Sequence, residues 1–288
     1  MDDFVFMTDS CCDLSADLAE EMGLVVLPLS VIQDGRTYQN YLDHRDLDPK
    51  DFYNNIRNGS MGSTAAANAE AFMEAMTPPL EAGKDILCVC FSSALSTTYQ
   101  SAVIARQELS DTYPDRRIVV IDSLCASLGQ GMLLYLAHRE RQKGRTLEET
   151  ADFIRETIPH LCHYFTVDDL NHLKRGGRVS AAAAFFGTML QMKPILHVDD
   201  QGRLIPLSKV RGRKASIQAL LAQMDELVTD AETVFISHGD CLDEVEAMAQ
   251  QIKDRFGTKE VVINYVGPVI GNHTGAGVVA LFFVGKHR

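Results

Sequence analysis

Two short segments far apart in the sequence carry side chains that suit the binding of an anion. The first, SSALSTT (residues 92–98), holds five hydroxyl side chains in seven residues, after an apolar run and before a helix-like stretch. A strand that turns into a helix presents unpaired backbone N–H groups and the positive end of the helix dipole. The second, HTGAG (residues 273–277), places a histidine beside glycines, which let a ligand approach the backbone closely. Together they predict a binding site for an acidic group.

The first half of the sequence alternates strand-like runs with helix-like stretches. The predicted strands cover residues 4–7, 24–31, 86–91 and 118–121, and the predicted helices cover residues 14–22, 69–76, 98–109 and 129–143. The third run is wholly apolar, which is typical of a parallel strand buried on both faces. The first, third and fourth strands run directly into Asp, Ser or Thr. Ligands of open α/β sheets bind outside the carboxyl ends of the strands, so the pattern predicts a site at that edge.

After about residue 161 the organisation changes. Predicted strands cover residues 163–167, 192–198, 204–210, 233–238, 260–265 and 278–284, and predicted helices cover residues 181–189, 215–228 and 242–256. Asp200 and Gly202 predict a hairpin turn. We therefore expect two α/β domains. Residues 1–161 form three α/β/α layers around a parallel sheet, and residues 162–288 form two layers with a mixed sheet.

Composition and charge exclude several classes of protein. With 288 residues and 46% hydrophobic content, the chain can bury a large core. A net charge of −12 disfavours a nucleic-acid surface, and no apolar run approaches the roughly 18 residues that span a bilayer. The acidic start MDDF is unlike a signal peptide, so we expect a cytoplasmic protein without stable membrane insertion, and transient membrane contact stays open. The seven cysteines fit neither a disulfide framework nor zinc spacing.

Two basic clusters in the second half oppose the acidic net charge locally. They are LKRGGR (residues 173–178) and KVRGRK (residues 209–214). Each cluster is either part of an anion site or a solvated loop without a ligand. Glycines inside both clusters favour ordered turns over tails.

Eight stretches, in order and over nearly the whole chain, resemble the motifs of the DegV family. They are TDSCCDLS (8–15), LPL (27–29), FSSALSTTYQSA (91–102), IDSLCASLGQG (121–131), LNHLKRGGRVS (170–180), KPIL (193–196), KVRGRKA (209–215) and IGNHTGAG (270–277). The resemblance implies a two-domain α/β fold, related to dihydroxyacetone kinases, that encloses one long-chain fatty acid. It further implies that the bound carboxylate is presented to a separate fatty acid kinase subunit, which makes an acyl phosphate for phospholipid synthesis. It implies no cofactor and no metal.

The family pattern also assigns roles to individual residues. The carboxylate clamp implied by it consists of Thr64, Ser96, Arg211 and His273. Supporting or partner-facing roles fall to Ser63, Ser93, Thr97, Arg175, Arg178, Arg213 and Gly275. The sequence departs from the pattern at three places. This chain has TAAAN (residues 64–68) where the family pattern has TSQPS. It has Thr97 in place of the glycine of the family's SGT motif, and Ala276 in place of the proline of the family's GPG motif. The rewritten segment around Thr64 predicts a changed preference for chain length or headgroup.

The stretch AAAAFFGTMLQMKPIL (residues 181–196) offers small and flexible apolar side chains for the wall of an acyl-chain pocket. The candidate pocket residues are Phe185, Phe186, Met189, Leu190 and Met192. The alternative for any one of them is an ordinary core position between a helix and a strand.

An enzyme that acts at the same cleft is the alternative function. Ser96, His273 and either Asp9 or Asp122 could imitate a hydrolytic triad, but no GxSxG elbow surrounds a serine of this chain. The two aspartates could instead hold magnesium for a phosphotransferase, but no GKS or GKT phosphate loop accompanies them. The sequence therefore favours a carrier over a hydrolase or a self-contained kinase.

Overall fold

The computed structural model describes residues 4–179 and 191–288. The strands in that part of the chain are β1 (Phe4–Asp9), β2 (Leu24–Leu27), β3 (Ser30–Gln33), β4 (Arg36–Gln39), β5 (Gly62–Ala65), β6 (Asp85–Cys90), β7 (Ile118–Asp122), β8 (Leu161–Thr166), β9 (Met192–Val198), β10 (Leu204–Arg211), β11 (Val228–His238), β12 (Glu260–Tyr265) and β13 (Val279–Gly285). The helices are α1 (Ala16–Glu21), α2 (Pro49–Arg57), α3 (Ala69–Glu81), α4 (Thr98–Thr112), α5 (Leu128–Gln142), α6 (Leu147–Thr157), α7 (Asn171–Gly176), α8 (Arg213–Leu227), α9 (Leu242–Phe256) and α10 (Pro268–Thr274).

The main sheet of the first half consists of parallel strands in the order β2-β1-β6-β7. Strand β6, with the sequence DILCVC, is buried over every residue except its first. Helices α3, α4 and α6 pack against its strands, and a parallel strand that is covered on both faces must be apolar throughout. The predicted parallel sheet is confirmed, and its strands lead at one edge into Asp9, Ser92 and Asp122.

The sheet of the second half is mixed, in the order β10-β9-β8-β13-β11-β12. Only β11 and β12 run parallel among its described pairs, and the predicted hairpin joins β9 to β10 in antiparallel register. Helices α8 and α9 cover this sheet through a core that includes Leu221, Met224 and Met248. Helix α5 from the first half contacts β8, β11 and β13. One hydrophobic core therefore continues from the first half into the second.

The structure corrects the sequence prediction at the second strand. Residues 24–31 were expected to form one strand, but β2 ends at Leu27 and β3 begins at Ser30 in a different sheet, of order β4-β3-β5. Pro28 lies between them and has no N–H to donate to a ladder. Leu29 then accepts from the backbone of Asn40 instead of from a neighbouring strand. Within the described residues, no helix is long and apolar enough to cross a membrane.

Strands β4 and β5 and helices α6 and α10 also went unpredicted. Strand β5 carries the sequence GSTA, alternates between half-buried and exposed residues, and pairs antiparallel with β3. The proposed division of the chain at residues 161 and 162 stays a prediction, although every strand of the parallel sheet precedes that point and every strand of the mixed sheet begins at Leu161 or later.

A buried carboxyl group joins the two sheets. Asp13 Oδ2 accepts a hydrogen bond of 2.5 Å from Ser127 Oγ, which lies 2.9 Å from Ser237 Oγ on β11. The backbone carbonyl of Asp13 also accepts from Asn264 Nδ2 on β12, at 2.9 Å. Burial raises the pKa of Asp13 from 3.8 to about 8, because desolvation disfavours the charged form. This carboxyl group is therefore largely protonated at neutral pH.

The raised pKa of Asp13 predicts a pH dependence of stability. The folded chain binds this proton up to about pH 8 whereas the unfolded chain releases it near pH 3.8, so raising the pH favours unfolding over that range. We expect the free energy of unfolding to decrease by about 1 kcal/mol more between pH 7 and pH 8 in the wild type than in Asp13→Asn. Urea denaturation at both pH values measures the difference.

The matched control is Asp111→Asn, at an exposed position near the end of α4. It should keep the pH slope of the wild type. An Asp13→Asn variant that folds with an unchanged slope would contradict a protonated Asp13.

Candidate binding site

A cavity of about 500 Å³ lies among residues of both halves of the chain, within the range usual for small-molecule sites. It is bounded by the loops that follow β6 and β7, by β8 and β13, and by α10. Most of the lining is apolar. Representative lining residues are Leu29, Phe91, Leu173, Val269, Ile270 and Phe282. The cavity therefore suits a ligand with a substantial apolar part.

Six of the residues predicted for the site line this cavity. They are Thr64, Ser93, Ser96, Thr97, Arg178 and His273. The structure thus brings together the two segments, SSALSTT and HTGAG, from which the anion site was predicted. Within this set Thr64 contacts His273, and we call the six residues together the clamp wall.

The contact between Thr64 and His273 is the centre of the clamp wall. Thr64 Oγ1 lies 2.9 Å from His273 Nε2. A pair of hydrogen bonds holds the two elements in place: Gly62 N donates to Asn272 Oδ1 at 3.1 Å, and Asn272 Nδ2 donates to Gly62 O at 3.0 Å. The side-chain amide of Asn272 thus makes, with the backbone of β5, the pair of hydrogen bonds that a neighbouring strand would make. Strand β5 is therefore fixed on the amino-terminal side of His273 in α10.

The imidazole of His273 is neutral at pH 7. Burial, and secondarily the positive charge of Arg178, lower its pKa from 6.5 to about 4. Its Nδ1 atom is buried and has no hydrogen-bond partner among the described residues. The ring packs directly on Gly176, where an added Cβ would lie 2.2 Å from Nδ1. Only a glycine at position 176 leaves room for this ring orientation.

The segment that carries Ser96 is held by two carboxylates at the strand ends. Asp9 Oδ2 accepts from Phe91 N at 2.7 Å, and Asp122 Oδ1 accepts from Ser93 N at 3.1 Å. Ser96 Oγ accepts from Thr98 N at 3.3 Å and lies 2.9 Å from Thr98 Oγ1. These aspartates therefore order the backbone around Ser96.

Arg178 is the arginine at the clamp wall. Its Nε donates to Leu95 O at 3.3 Å, and its Nη1 donates to Gly176 O at 2.6 Å. The guanidinium therefore lies between Leu95, which precedes Ser96, and Gly176, on which the His273 ring packs. Arg211, in contrast, is the exposed last residue of β10 and lines neither this cavity nor the one beside it. The structure does not bring Arg211 to the other predicted clamp residues.

The remaining predicted residues lie around the cavity. Ser63 and Arg175 line a second, smaller cavity beside the clamp wall. Arg213 is engaged elsewhere, because its Nε donates to Glu244 at 2.6 Å. Gly275 packs under the ring of His172, where an added Cβ would lie 2.6 Å from Cδ2.

The predicted acyl-chain pocket falls mostly on undescribed positions. Phe185, Phe186, Met189 and Leu190 lie outside the described residues. Met192 opens β9, is half-buried and does not line the cavity.

Sequence reasoning missed several polar residues that line the cavity, among them Ser127, His163 and Ser237. Ser127 adopts a positive φ of 54° at the start of α5. The types of the neighbouring residues do not predict this conformation. His163 Nδ1 donates to Leu161 O at 2.9 Å, and the other ring nitrogen packs on Gly129. Burial lowers the pKa of His163 well below 6.5. Neutral polar groups therefore also line the cavity outside the clamp wall.

Fold and site together define a class of protein: an α/β fold with a parallel sheet and a mixed sheet around an apolar cavity, which has a wall of hydroxyl, imidazole and guanidinium groups. The DegV family, described as uncharacterised, matches residues 3–286 of the chain. A DegV domain-containing protein of Clostridium perfringens is 42% identical over 290 residues, covering 100% of this chain and 99% of that protein. The chain belongs to the DegV family.

Solved structures of the family have the same fold. A DegV family protein from Thermus thermophilus, described by its fatty acid binding, is 29% identical with a TM-score of 0.88 over 97% of this chain and 98% of that chain. The Fatty Acid Kinase (Fak) B3 protein of Streptococcus pneumoniae, loaded with linoleic acid, has a TM-score of 0.84 at 18% identity, over 98% and 99% of the two chains. That second likeness shows the fold alone.

The packing of His273 on Gly176 predicts the effect of a small substitution. Gly176→Ala should push the imidazole out of its buried position, so that its pKa rises from about 4 toward 6.5. An NMR titration of the His273 ring protons measures this shift. The control is Gly177→Ala, whose Cβ would meet no atom but whose φ of 68° favours glycine. We expect it to lower stability by about 1 kcal/mol and to leave the titration unchanged. An unshifted His273 in Gly176→Ala would contradict the packing account.

Proposed function

We propose that this protein binds one long-chain fatty acid, with the tail in the cavity and the carboxylate at the clamp wall, and presents that carboxylate to a separate kinase subunit. The observation that carries the proposal is the combination of an apolar cavity of about 500 Å³ with polar lining residues that include Ser96 and the contacting pair Thr64 and His273. The fatty acid binding described for the DegV protein of Thermus thermophilus supports it.

Burial of the tail supplies the affinity. Each buried methylene contributes about 0.8 kcal/mol, so about fourteen methylenes contribute on the order of 10 kcal/mol. That gain offsets the loss of motion when a flexible ligand is fixed in one place. Apolar side chains such as Leu173 and Ile270 line the cavity that receives it.

The carboxylate end needs hydrogen-bond donors once it leaves water. We assign the proton of neutral His273 to Nε2, because the Nδ1 atom is buried without a partner and an orphaned N–H is rarer than an orphaned acceptor. His273 then donates to Thr64 Oγ1, which leaves the Thr64 hydroxyl proton free for the carboxylate. Ser96 provides a second hydroxyl, and the Arg178 guanidinium provides positive charge. Arg178 takes the role that the family pattern gave to Arg211, because Arg211 lies away from the wall.

The presentation step rests on the family resemblance. In a chain of net charge −12, the exposed Arg175 and the neighbouring Arg178 form a basic rim next to the clamp wall. This rim is the part of the site that we expect an acidic partner or its nucleotide to approach. Arg213, which we proposed as a third partner-facing residue, is paired with Glu244. The protein shares its fold with the Fak B3 protein of Streptococcus pneumoniae.

The alternative hypothesis, that the protein is a hydrolase or a phosphotransferase acting at the same site, has less support. A hydrolytic triad would need Ser96 to contact His273 and His273 to contact an aspartate. Instead Ser96 contacts Thr98, His273 contacts Thr64, and Asp9 accepts from backbone amides. The geometry therefore favours a carrier.

Removal of single clamp side chains should weaken fatty-acid binding. We expect Ser96→Ala, which removes a donor to the carboxylate, and His273→Ala, which removes the group that orients the Thr64 hydroxyl, each to lower the affinity for palmitate by roughly 10- to 100-fold, the equivalent of one hydrogen bond to a charged group. Fluorescence displacement or calorimetric titration measures the affinity, and circular dichroism checks the fold. Ser110→Ala, whose hydroxyl bonds only to Arg106 O on an exposed helix turn, is the control and should bind like the wild type. Full affinity in both clamp variants would refute the clamp assignment.

The purified protein itself distinguishes a carrier from an enzyme. Mass spectrometry of an organic extract should recover one fatty acid per chain. An empty protein that hydrolyses esters without a partner would overturn the carrier proposal.

A further inference from the structure

The cavity of about 500 Å³, which we call the acyl cavity, has a second polar region apart from the clamp wall. Ser127, His163 and Ser237 line it there, and all three are buried, with 5%, 2% and 0% of their surface exposed. Ser127 precedes α5, His163 lies on β8 and Ser237 lies on β11. Buried polar side chains need hydrogen-bond partners, so the partners of these residues decide what the region can bind.

The two serines use their protons inside the protein. Ser127 Oγ donates to Asp13 Oδ2 at 2.5 Å and lies 2.9 Å from Ser237 Oγ. A hydroxyl group carries one proton and two lone pairs, so Ser237 is the donor in its contact with Ser127. Within the described part of the chain, the Ser237 hydroxyl has no further partner. Its lone pairs are therefore free acceptors at the cavity wall.

His163 adds a second free acceptor. Its Nδ1 donates to Leu161 O at 2.9 Å, so Nε2 of the neutral ring carries a lone pair and no proton. Nε2 is buried and has no partner among the described residues. It packs on Gly129, where an added Cβ would lie 2.0 Å away. Because Ser127 and Gly129 both belong to the start of α5, the acceptors of Ser237 and His163 lie in one region. We call Ser127, His163 and Ser237 the acceptor patch.

The acceptor patch lies well away from the carboxylate end of the cavity. Asp13, the partner of Ser127, packs on Gly267 before α10, where an added Cβ would lie 2.6 Å from Asp13 Oδ1. His273 lies in the last turn of α10, six residues after Gly267, which corresponds to about 9 Å of helix. A carbon–carbon bond is about 1.5 Å long, so roughly six bonds or more separate a clamped carboxylate from a carbon at the patch. The patch therefore faces the tail of the ligand beyond its first few carbons.

The chemistry of the patch selects a neutral donor on an otherwise apolar tail. A plain methylene chain offers no donor to a buried acceptor. A keto group only accepts, so it would meet the patch acceptor to acceptor. A charged group would lose too much hydration in a cavity of this kind. A hydroxyl group is neutral and donates one proton, so it is the substituent that the free lone pairs fit.

We propose that the ligands of this protein include long-chain fatty acids that carry a hydroxyl group in the middle of the chain, with the O–H donating to Ser237 Oγ. The assignment rests on the proposed function and deepens it, because it names the kind of tail that the cavity accepts. Ser237 is the residue that determines this specificity. Its replacement by alanine leaves the bond from Ser127 to Asp13 in place, so the connection between the two sheets does not depend on it.

Binding of substituted stearates to the wild type tests the proposal without any variant. The probes are stearate, hydroxystearates with the hydroxyl at carbon 8, 10 or 12, and the three ketostearates that match them. We expect at least one hydroxystearate to bind as tightly as stearate or more tightly, and about 10-fold more tightly than its keto counterpart, the equivalent of one buried hydrogen bond. Calorimetric titration measures the affinities.

Ser237→Ala then assigns the effect to one side chain. We expect about a 10-fold loss of affinity for the best hydroxystearate and less than about a 2-fold change for stearate. The matched control is Thr166→Val, which removes a fully buried hydroxyl group from β8 of the same sheet, outside the lining of the acyl cavity. It should change neither affinity, and circular dichroism checks the fold of both variants.

The other outcomes separate this proposal from the proposed function. A wild type that binds stearate but binds each hydroxystearate more than about 10-fold more weakly would overturn the hydroxyl assignment alone. Equal affinity for hydroxy and keto forms would overturn it as well. Equal losses for both ligands in Ser237→Ala, or no loss for the hydroxystearate, would exclude Ser237 as the acceptor and overturn the proposal. A wild type that binds neither stearate nor any hydroxystearate would instead contradict the proposed function itself.

Discussion

The contact between Thr64 and His273 joins residues 209 positions apart in the chain, and the rest of the site depends on it. It forms because the Asn272 side chain pairs with the backbone of Gly62 and thereby anchors β5 to α10. The same contact closes the acyl cavity and separates it from the second, smaller cavity on the other side. A short strand of low hydrophobicity is thus held by side-chain hydrogen bonds, and its position decides where the apolar cavity ends.

The electrostatic character of the wall follows from burial. Desolvation keeps His273 neutral, with a pKa of about 4, so the wall holds its donors without requiring a buried imidazolium ion. The positive charge comes instead from Arg178, which is exposed and therefore pays little desolvation cost. Under the proposed function, a ligand carboxylate at this boundary would gain neutral hydrogen bonds from inside the cavity and a cation from outside. One end of the ligand would then be buried while the other end stays accessible to the proposed partner.

The sequence predicted the parts of this arrangement that have local signatures. The apolar run at β6 and the hydroxyl-rich segment after it predicted a parallel strand and a polar strand end, and both are present. The motifs predicted Thr64, Ser96 and His273, and the structure brings all three to one cavity. Local signatures did not reveal β5, because GSTA has no hydrophobic alternation and pairs only through contacts distant in sequence.

The choice between arginines was also beyond sequence reasoning. Arg178 and Arg211 both lie in glycine-containing basic clusters, and composition alone does not distinguish them. The fold does, because the turn after α7 places Arg178 against Leu95 O while β10 carries Arg211 to an exposed strand end. The positive φ of Ser127, which positions a hydroxyl at the cavity, is likewise a property of tertiary context.

A crystal structure of the protein with bound palmitate tests the central claim most directly. The account predicts the carboxylate within about 3 Å of Thr64 Oγ1 and Ser96 Oγ, the usual hydrogen-bond distance, with the tail running along Leu173, Ile270 and Phe282. A carboxylate bound elsewhere, or a tail that lies outside this cavity, would contradict it.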